Sequence, residues 1–247
     1  MRSLVIVPTY NERENLPRLV PAILGIDPDL DLLVVDDNSP DGTGKIAGAL
    51  AAESDGRIHV LHRLGKLGLG TAYVAGFKYA LAHGYDRVIE MDADFSHRPE
   101  DLPSLLAAAS SADVVIGSRN IAGGRTVGWS WFRNFISKGG SLYARLLLGI
   151  RIQDCTGGFK CLSRQALQRL DLDNLLSNGY AFQVEVNYAC VQAGLRFAEV
   201  PIVFNDRTAG KSKMSAGIAI EAAALVLRLK LGVAQAAVLP VSLQEAA

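Results

Sequence analysis

The chain has 247 residues, enough to bury a substantial core as one large α/β domain or two small ones. Lys+Arg and Asp+Glu both total 25, so no net field draws the chain onto nucleic acid, and no nucleic-acid partner is expected. With 49% hydrophobic and 20% charged residues it is apolar for a soluble protein, and a surface that meets something greasy is expected. The first predicted element is a short buried strand, Leu4 to Val7, stopped by Pro8-Thr9-Tyr10. No signal-peptide pattern precedes it. Asn11 as N-cap with Glu14 at N3 predicts a helix to about Leu24. Leu32 to Val35 reads as the second strand and runs into a dense turn, Asp36-Asp37-Asn38-Ser39-Pro40-Asp41-Gly42. A helix from Thr43 to Glu53, a strand over Ile58 to Leu61, and a helix opened by Gly65-Lys66-Leu67-Gly68-Leu69-Gly70 and ending near His83 follow. Val88 to Met91 is a central strand, Pro99 to Ala109 a helix, and Asp113 to Ile116 a fifth strand ending at Gly117-Ser118-Arg119. Strands alternate strictly with helices, and the strands are apolar without interruption. That is the pattern of a mostly parallel sheet covered on both faces, so the fold class is α/β.

After Arg119 the regularity breaks. Gly123-Gly124-Arg125 opens a loop, Trp129 and Trp131 follow, and a helix is predicted over Arg133 to Leu148. Leu162 to Leu170 and Phe182 to Ala193 read as helices, and Phe197 to Phe204 as a late strand that Pro201 marks as an edge. Cys155, Cys161 and Cys190 are odd in number and lack metal-type spacing, which fits thiols in a reducing compartment. Met214 to Leu231 is apolar almost all round a helical wheel and is expected to be buried, to lie in an interface, or to dock on a partner. No stretch reaches the ~18 uncharged apolar residues of a spanning helix. The chain is therefore expected on the cytoplasmic side, in contact with a membrane only at its surface.

Chemistry gathers at strand ends. Asp92 and Asp94 follow the central strand two residues apart, so in extended backbone their carboxylates share one side. Two such carboxylates either serve a turn or hold a hard divalent cation that keeps bonds to substrate phosphates. Pro8 to Glu12 and Asp36-Asp37 end two other strands at what should be the same sheet edge, where ligands of open α/β sheets bind. There an aromatic ring can stack on a base and a carboxylate can accept from base or ribose groups. The Gly65 to Gly70 spacing is not G-x-G-x-x-G, which excludes a dinucleotide oxidoreductase.

Val-Pro-Thr-Tyr-Asn-Glu (7–12), Val-Asp-Asp-Asn-Ser-Pro-Asp-Gly-Thr (35–43) and Asp-Ala-Asp-Phe-Ser-His (92–97) resemble the inverting family 2 glycosyltransferases of GT-A fold. Gly-Leu-Gly-Thr-Ala-Tyr (68–73), Gly-Ser-Arg (117–119), Asn-Gly-Tyr-Ala-Phe-Gln-Val-Glu (178–185) and Asp-Arg-x-x-Gly-Lys-Ser-Lys (206–213) narrow the resemblance to dolichol- or polyprenol-phosphate mannose synthases. The resemblance implies that Pro8, Tyr10, Glu12, Asp36, Asp37 and Ser39 hold the nucleotide sugar. It implies that Asp92 and Asp94 bind Mg²⁺ or Mn²⁺ on the donor diphosphate. Ser96 stands where some relatives carry a Gln that helps with the metal.

The expected reaction transfers mannose, with inversion, from GDP-mannose to a polyprenyl or dolichyl monophosphate. A UDP-sugar donor such as UDP-glucose is the alternative, since neither Tyr10 nor Asp37 selects guanine, and a non-catalytic nucleotide-sugar-binding module is a further one. An ionised phosphate acceptor needs no general base, only cations that bring it to the anomeric carbon. Arg119, Arg133, Arg207, Lys211 and Lys213 are the candidates, with Asp94, Arg119 and Arg207 expected to matter most for catalysis; each cation has an ordinary surface role as its alternative. Glu185 is read as an orienting carboxylate, with a general base for a hydroxyl acceptor as the other reading. The Trp129-Ser130-Trp131-Phe132 patch suits a membrane interface or a packed loop. Residues 1–119 are expected to bind the donor and 120–213 the acceptor within one catalytic domain. Residues 214–247 would face a membrane or a membrane-anchoring partner protein.

Overall fold

The computed structural model describes residues 1–175, 177, 179–206, 216–234 and 236–239. In chain order the first half runs β1 (Ser3–Thr9), α1 (Leu16–Leu24), β2 (Leu30–Asp36), α2 (Thr43–Ala52), β3 (Ile58–His62), α3 (Leu69–Ala82), β4 (Arg87–Glu90), α4 (Leu102–Ala108) and β5 (Val114–Ser118). The second half adds β6 (Arg125–Val127), α5 (Trp131–Leu148), β7 (Lys160–Ser163), α6 (Arg164–Arg169), α7 (Gly179–Gln192), β8 (Phe197–Pro201), β9 (Val203–Asn205) and α8 (Ala216–Lys230).

Seven strands form one sheet in the order β3-β2-β1-β4-β7-β5-β8. All pairings are parallel except those of β7, which lies antiparallel between β4 and β5. The apolar strands serve both faces by simple alternation. Leu4, Ile6, Leu33 and Val35 join one core cluster, with Tyr73, Phe77 and Phe182. Val5, Val7, Leu32 and Val34 join the other, with Leu16, Leu19 and Leu105. Helix α3 lies so close to β1 that a Cβ at Gly76 would sit 2.6 Å from Ile6 Cδ1, which is why a side chain is missing there. β6 and β9 make a separate two-stranded ribbon.

Four expectations are corrected. The predicted helix over Leu162 to Leu170 is a strand, Lys160–Ser163, followed by a short helix capped by Ser163. Its four residues are all buried, and β7 fills the gap between β4 and β5, so tertiary pairing overrides local preference. The first helix starts at Leu16, not near Asn11, because Asn11 takes a left-handed φ of 63° and Glu14 is left exposed. The fifth helix begins two residues early, at Trp131, where the Ser130 side chain accepts from the Arg133 N–H. The edge position of β8 is as expected, but the strand expected to reach Phe204 ends at Pro201, and Val203–Asn205 pairs with β6 instead. Among the described residues no helix is long and apolar enough to cross a membrane.

Candidate active site

The carboxyl ends of β1, β2 and β4 open into one cavity of about 310 Å³. Pro8, Tyr10, Glu12, Asp37, Asp92 and Asp94 line it, together with Lys66 from the loop before α3. The three motifs that are far apart in sequence therefore converge. Asp36 and Ser39 are not on the cavity wall. Asp36 is buried and accepts from Thr9 Oγ1 at 3.0 Å, Ser39 Oγ at 2.5 Å and the Ser39 N–H at 3.1 Å. These two residues brace the turn that presents Asp37.

Asp37 Oδ2 accepts from the N–H groups of Leu67 and Gly68 at 3.1 and 3.4 Å. Its Oδ1 lies 3.2 Å from Arg63 Nε, close enough for charge attraction but misaligned, so this oxygen makes no hydrogen bond. An acceptor held in this way suits the N–H of a base or a ribose hydroxyl. Tyr10 presents an aromatic face with Lys66 Nζ 4.3 Å from the ring centre. Burial lowers the Arg63 pKa, and the Asp37 charge partly offsets it.

Asp94 Oδ1 accepts from the Ser96 N–H at 3.0 Å and from Ser96 Oγ at 2.5 Å, so Ser96 orients this carboxylate. Asp92 keeps its side chain 30% exposed, while its N–H donates to His97 Nδ1 at 3.0 Å. That bond leaves the ring proton on Nε2, and burial lowers the His97 pKa, so the imidazole is neutral. The fully buried Tyr73 hydroxyl feels the same field. Burial first, then the charges of Asp92, Glu90 and Asp94, push its pKa well above the usual value. Among the described residues no cluster of three or more His, Cys, Asp or Glu could hold an ion alone. The Asp92–Asp94 pair, with hard oxygens and an open side, fits a divalent cation completed by water and phosphate oxygens.

At the other end of the cavity stand Arg119, Arg133, Thr156 and Phe204. Arg119 is buried and grips Asp154 by Nε and Nη2, both at 2.7 Å, while its backbone N–H donates to the same carboxylate at 2.9 Å. Burial pushes the Asp154 carboxyl up, but the Arg119 charge and hydrogen bonds outweigh it and hold the pKa below the usual range. The Asp154 N–H in turn donates to Glu199 on β8 at 3.1 Å. Arg133, from the first turn of α5, pairs with Asp206 at 2.8 Å and stacks 3.9 Å from the Trp129 ring centre. Arg119 faces the same indole at 5.4 Å, so Trp129 is a packed spacer between the two guanidinium groups. Its neighbours Trp131 and Phe132 are exposed at 77% and 57%, so the aromatic patch divides into one packed ring and two free ones.

Arg207, Lys211 and Lys213 lie outside the described residues. Glu185 is buried off the cavity wall, where it accepts from the Ser177 N–H at 3.0 Å. Sequence reasoning passed over Asp154, Lys66 and a buried trio of Glu90, Lys160 and Gln183. The signal for the trio was present: a Glu in an apolar strand and a Lys before a buried stretch call for partners.

The sequence profile described as Glycosyl transferase family 2 matches residues 4–171. The chain is 50% identical over 228 residues to undecaprenyl-phosphate mannosyltransferase of Micrococcus luteus, covering 92% of this chain and 93% of that protein. It is 48% identical over 215 residues to polyprenol monophosphomannose synthase of Mycolicibacterium smegmatis, covering 87% and 81%. The fold is similar to glucosyl-3-phosphoglycerate synthase of Mycobacterium tuberculosis, solved with Mn²⁺, UDP-glucose and phosphoglyceric acid. That likeness has a TM-score of 0.68 at 20% identity over 94% of this chain and 80% of that one. The sheet described above has the same architecture, an α/β fold of GT-A type.

Proposed function

Because this chain belongs to glycosyl transferase family 2, we propose that it transfers mannose, with inversion, from GDP-mannose to a polyprenyl monophosphate. The observation that carries the acceptor class is the pair Arg119 and Arg133 on the same cavity as Asp92 and Asp94, while Glu185 lies off the cavity wall and the His97 Nδ1 lone pair is taken by the Asp92 N–H. The names of the two relatives at about half identity support the same substrate class.

In this reading Tyr10 stacks on the base and Asp37 accepts from it or from the ribose. Asp92 and Asp94 hold the Mg²⁺ or Mn²⁺, which when bound neutralises charge on the departing diphosphate. Arg119 and Arg133 draw the acceptor phosphate in, with Arg207, Lys211 and Lys213 as further candidate cations. A phosphate oxygen then bonds to the anomeric carbon as the bond to the diphosphate breaks, and GDP carries away the electron pair. Two anions converge on one carbon, so preorganised cations are the chief help a protein can give. Binding of the donor's nucleotide and diphosphate falls to residues 1–119 and acceptor binding to 120–213. The exposed Trp131, Phe132 and Phe135, with residues 214–247, meet the cytoplasmic membrane face or an anchoring partner protein.

The test is to supply a panel of nucleotide sugars with a polyprenyl phosphate and Mg²⁺ or Mn²⁺, and to identify the lipid product by mass. Polyprenyl-phosphate mannose from GDP-mannose is the expected product. A glucosyl lipid from UDP-glucose would replace the donor, and no product with any pair would leave a nucleotide-sugar-binding module.

A further inference from the structure

Beneath the cavity, β4 and β7 run antiparallel with Glu90 directly opposite Lys160. Both side chains are completely buried, and Gln183 of α7 bridges them. Lys160 Nζ donates to Gln183 Oε1 at 2.7 Å, and Gln183 Nε2 donates to Glu90 Oε2 at 2.6 Å. Lysine has donors only and an ionised carboxylate acceptors only, so the amide has one permitted orientation. Nε2 carries a second N–H, for which no acceptor is found among the described residues.

Both Gln183 and Gly158 line the cavity, and Nε2 is the amide atom nearest to Gly158. A Cβ at residue 158 would lie 3.5 Å from Nε2 and 3.8 Å from His97 Cε1, so the missing side chain leaves the space over the amide open. Glu90 is two residues before Asp92, which places the trio beside the carboxylates assigned to the diphosphate. With the nucleoside at Tyr10 and Asp37, the sugar is the part of the donor left to meet Gly158 and Gln183. A neutral N–H with a carboxylate behind it suits a hydroxyl and disfavours a second anion. Burying a lysine and a glutamate on either side of one amide is weak as a device for stability, since apolar residues of like volume commonly serve as well. The trio's position under the cavity gives it another use.

We propose that Gln183 contacts a hydroxyl of the donor sugar, and that Lys160 and Glu90 are positioning residues that fix which edge of its amide faces the cavity. This rests on the glycosyl-transfer reading above. The experiment measures binding of GDP-mannose and of GDP alone by calorimetry, to the full chain and to Q183M and G158A. The expected result is that the ratio of the two affinities falls about 3- to 10-fold in both variants, the loss of one hydrogen bond, while GDP affinity stays within about two-fold. G158A makes only ordinary van der Waals contacts, so it decides the matter if Q183M fails to fold. In the neutral pair E90Q/K160M the amide is free to flip, and the ratio is expected to fall ~2-fold. An unchanged ratio there removes Lys160 and Glu90 from the assignment, and an unchanged ratio in folded Q183M or G158A overturns the contact itself. Lipid product formed by the unaltered chain is measured separately, so failure of the transfer reading gives a different result from failure of the Gln183 contact.

Discussion

The two ends of the cavity are built in different ways. At the donor end Asp94 and Asp36 are each braced by a serine in the turn that follows, Ser96 two residues on and Ser39 three residues on, while Asp37 is reached by the N–H groups of Leu67 and Gly68. At the acceptor end Arg119 closes on Asp154 35 residues away and Arg133 on Asp206 73 residues away. Local bracing lets a donor-end side chain be altered with the fold intact. Long-range pairing makes the acceptor end part of what holds the second half of the chain to the sheet. Function and stability should therefore separate at one end and fail together at the other.

The largest effect is expected at Asp94. Asp94→Asn should lower transfer by ~10³-fold, the loss of an electrostatic anchor in the reacting site, with little change in the thermal midpoint. A variant that unfolds would make this carboxylate structural and erase the contrast between the ends. Arg119→Ala should do the opposite and destabilise the fold by about 3–5 kcal/mol in urea denaturation, because it leaves Asp154 buried and uncompensated. Retained stability with lost transfer would show that Arg119 acts on the substrate alone.

Arg133 divides the acceptor end more finely. Its partner Asp206 is 47% exposed, so Arg133→Ala should change stability by less than about 1 kcal/mol. Transfer should still fall, by about 10- to 100-fold, if the guanidinium draws in the acceptor phosphate. An acceptor KM that stays constant would assign Arg133 to packing on Trp129.

The acid response of Asp154 is a smaller effect with a definite sign. Its folded pKa lies below the ordinary carboxylate value of about 3.9. The unfolded chain then takes up the proton first, so the pair's contribution is whole above that value and is lost as pH falls toward the folded one. The stability gap between wild type and Asp154→Asn, measured between pH 3 and 7, should be widest near neutrality and narrow in acid. A constant gap would mean that the ion pair does not titrate with unfolding.

The same contrast explains what could be read from the sequence. The α/β class and the five alternating strands of the first half were legible, because buried parallel strands are apolar runs and their ends carry turn residues. The convergence of Tyr10, Asp37, Asp92 and Asp94 followed from strand ends sharing one sheet edge. Strand β7 was hidden because Lys160 to Ser163 has no strand pattern of its own and is defined by the gap it fills. Asp154 was hidden because nothing near residue 154 announces a partner at 119. Asn11 was misread as a cap because its left-handed backbone serves the strand-end turn rather than a helix.

The most direct test of a phosphate acceptor that needs no base is to compare polyprenyl phosphate with the free polyprenol as acceptors of mannose from pH 5.5 to 8, in wild type and in Glu185→Gln. Transfer should go to the phosphate alone, rise with its second ionisation near pH ~6, and change little when Glu185 becomes Gln. Transfer to polyprenol, or loss of activity in Glu185→Gln with the fold intact, would contradict this and require a hydroxyl acceptor with Glu185 serving its proton.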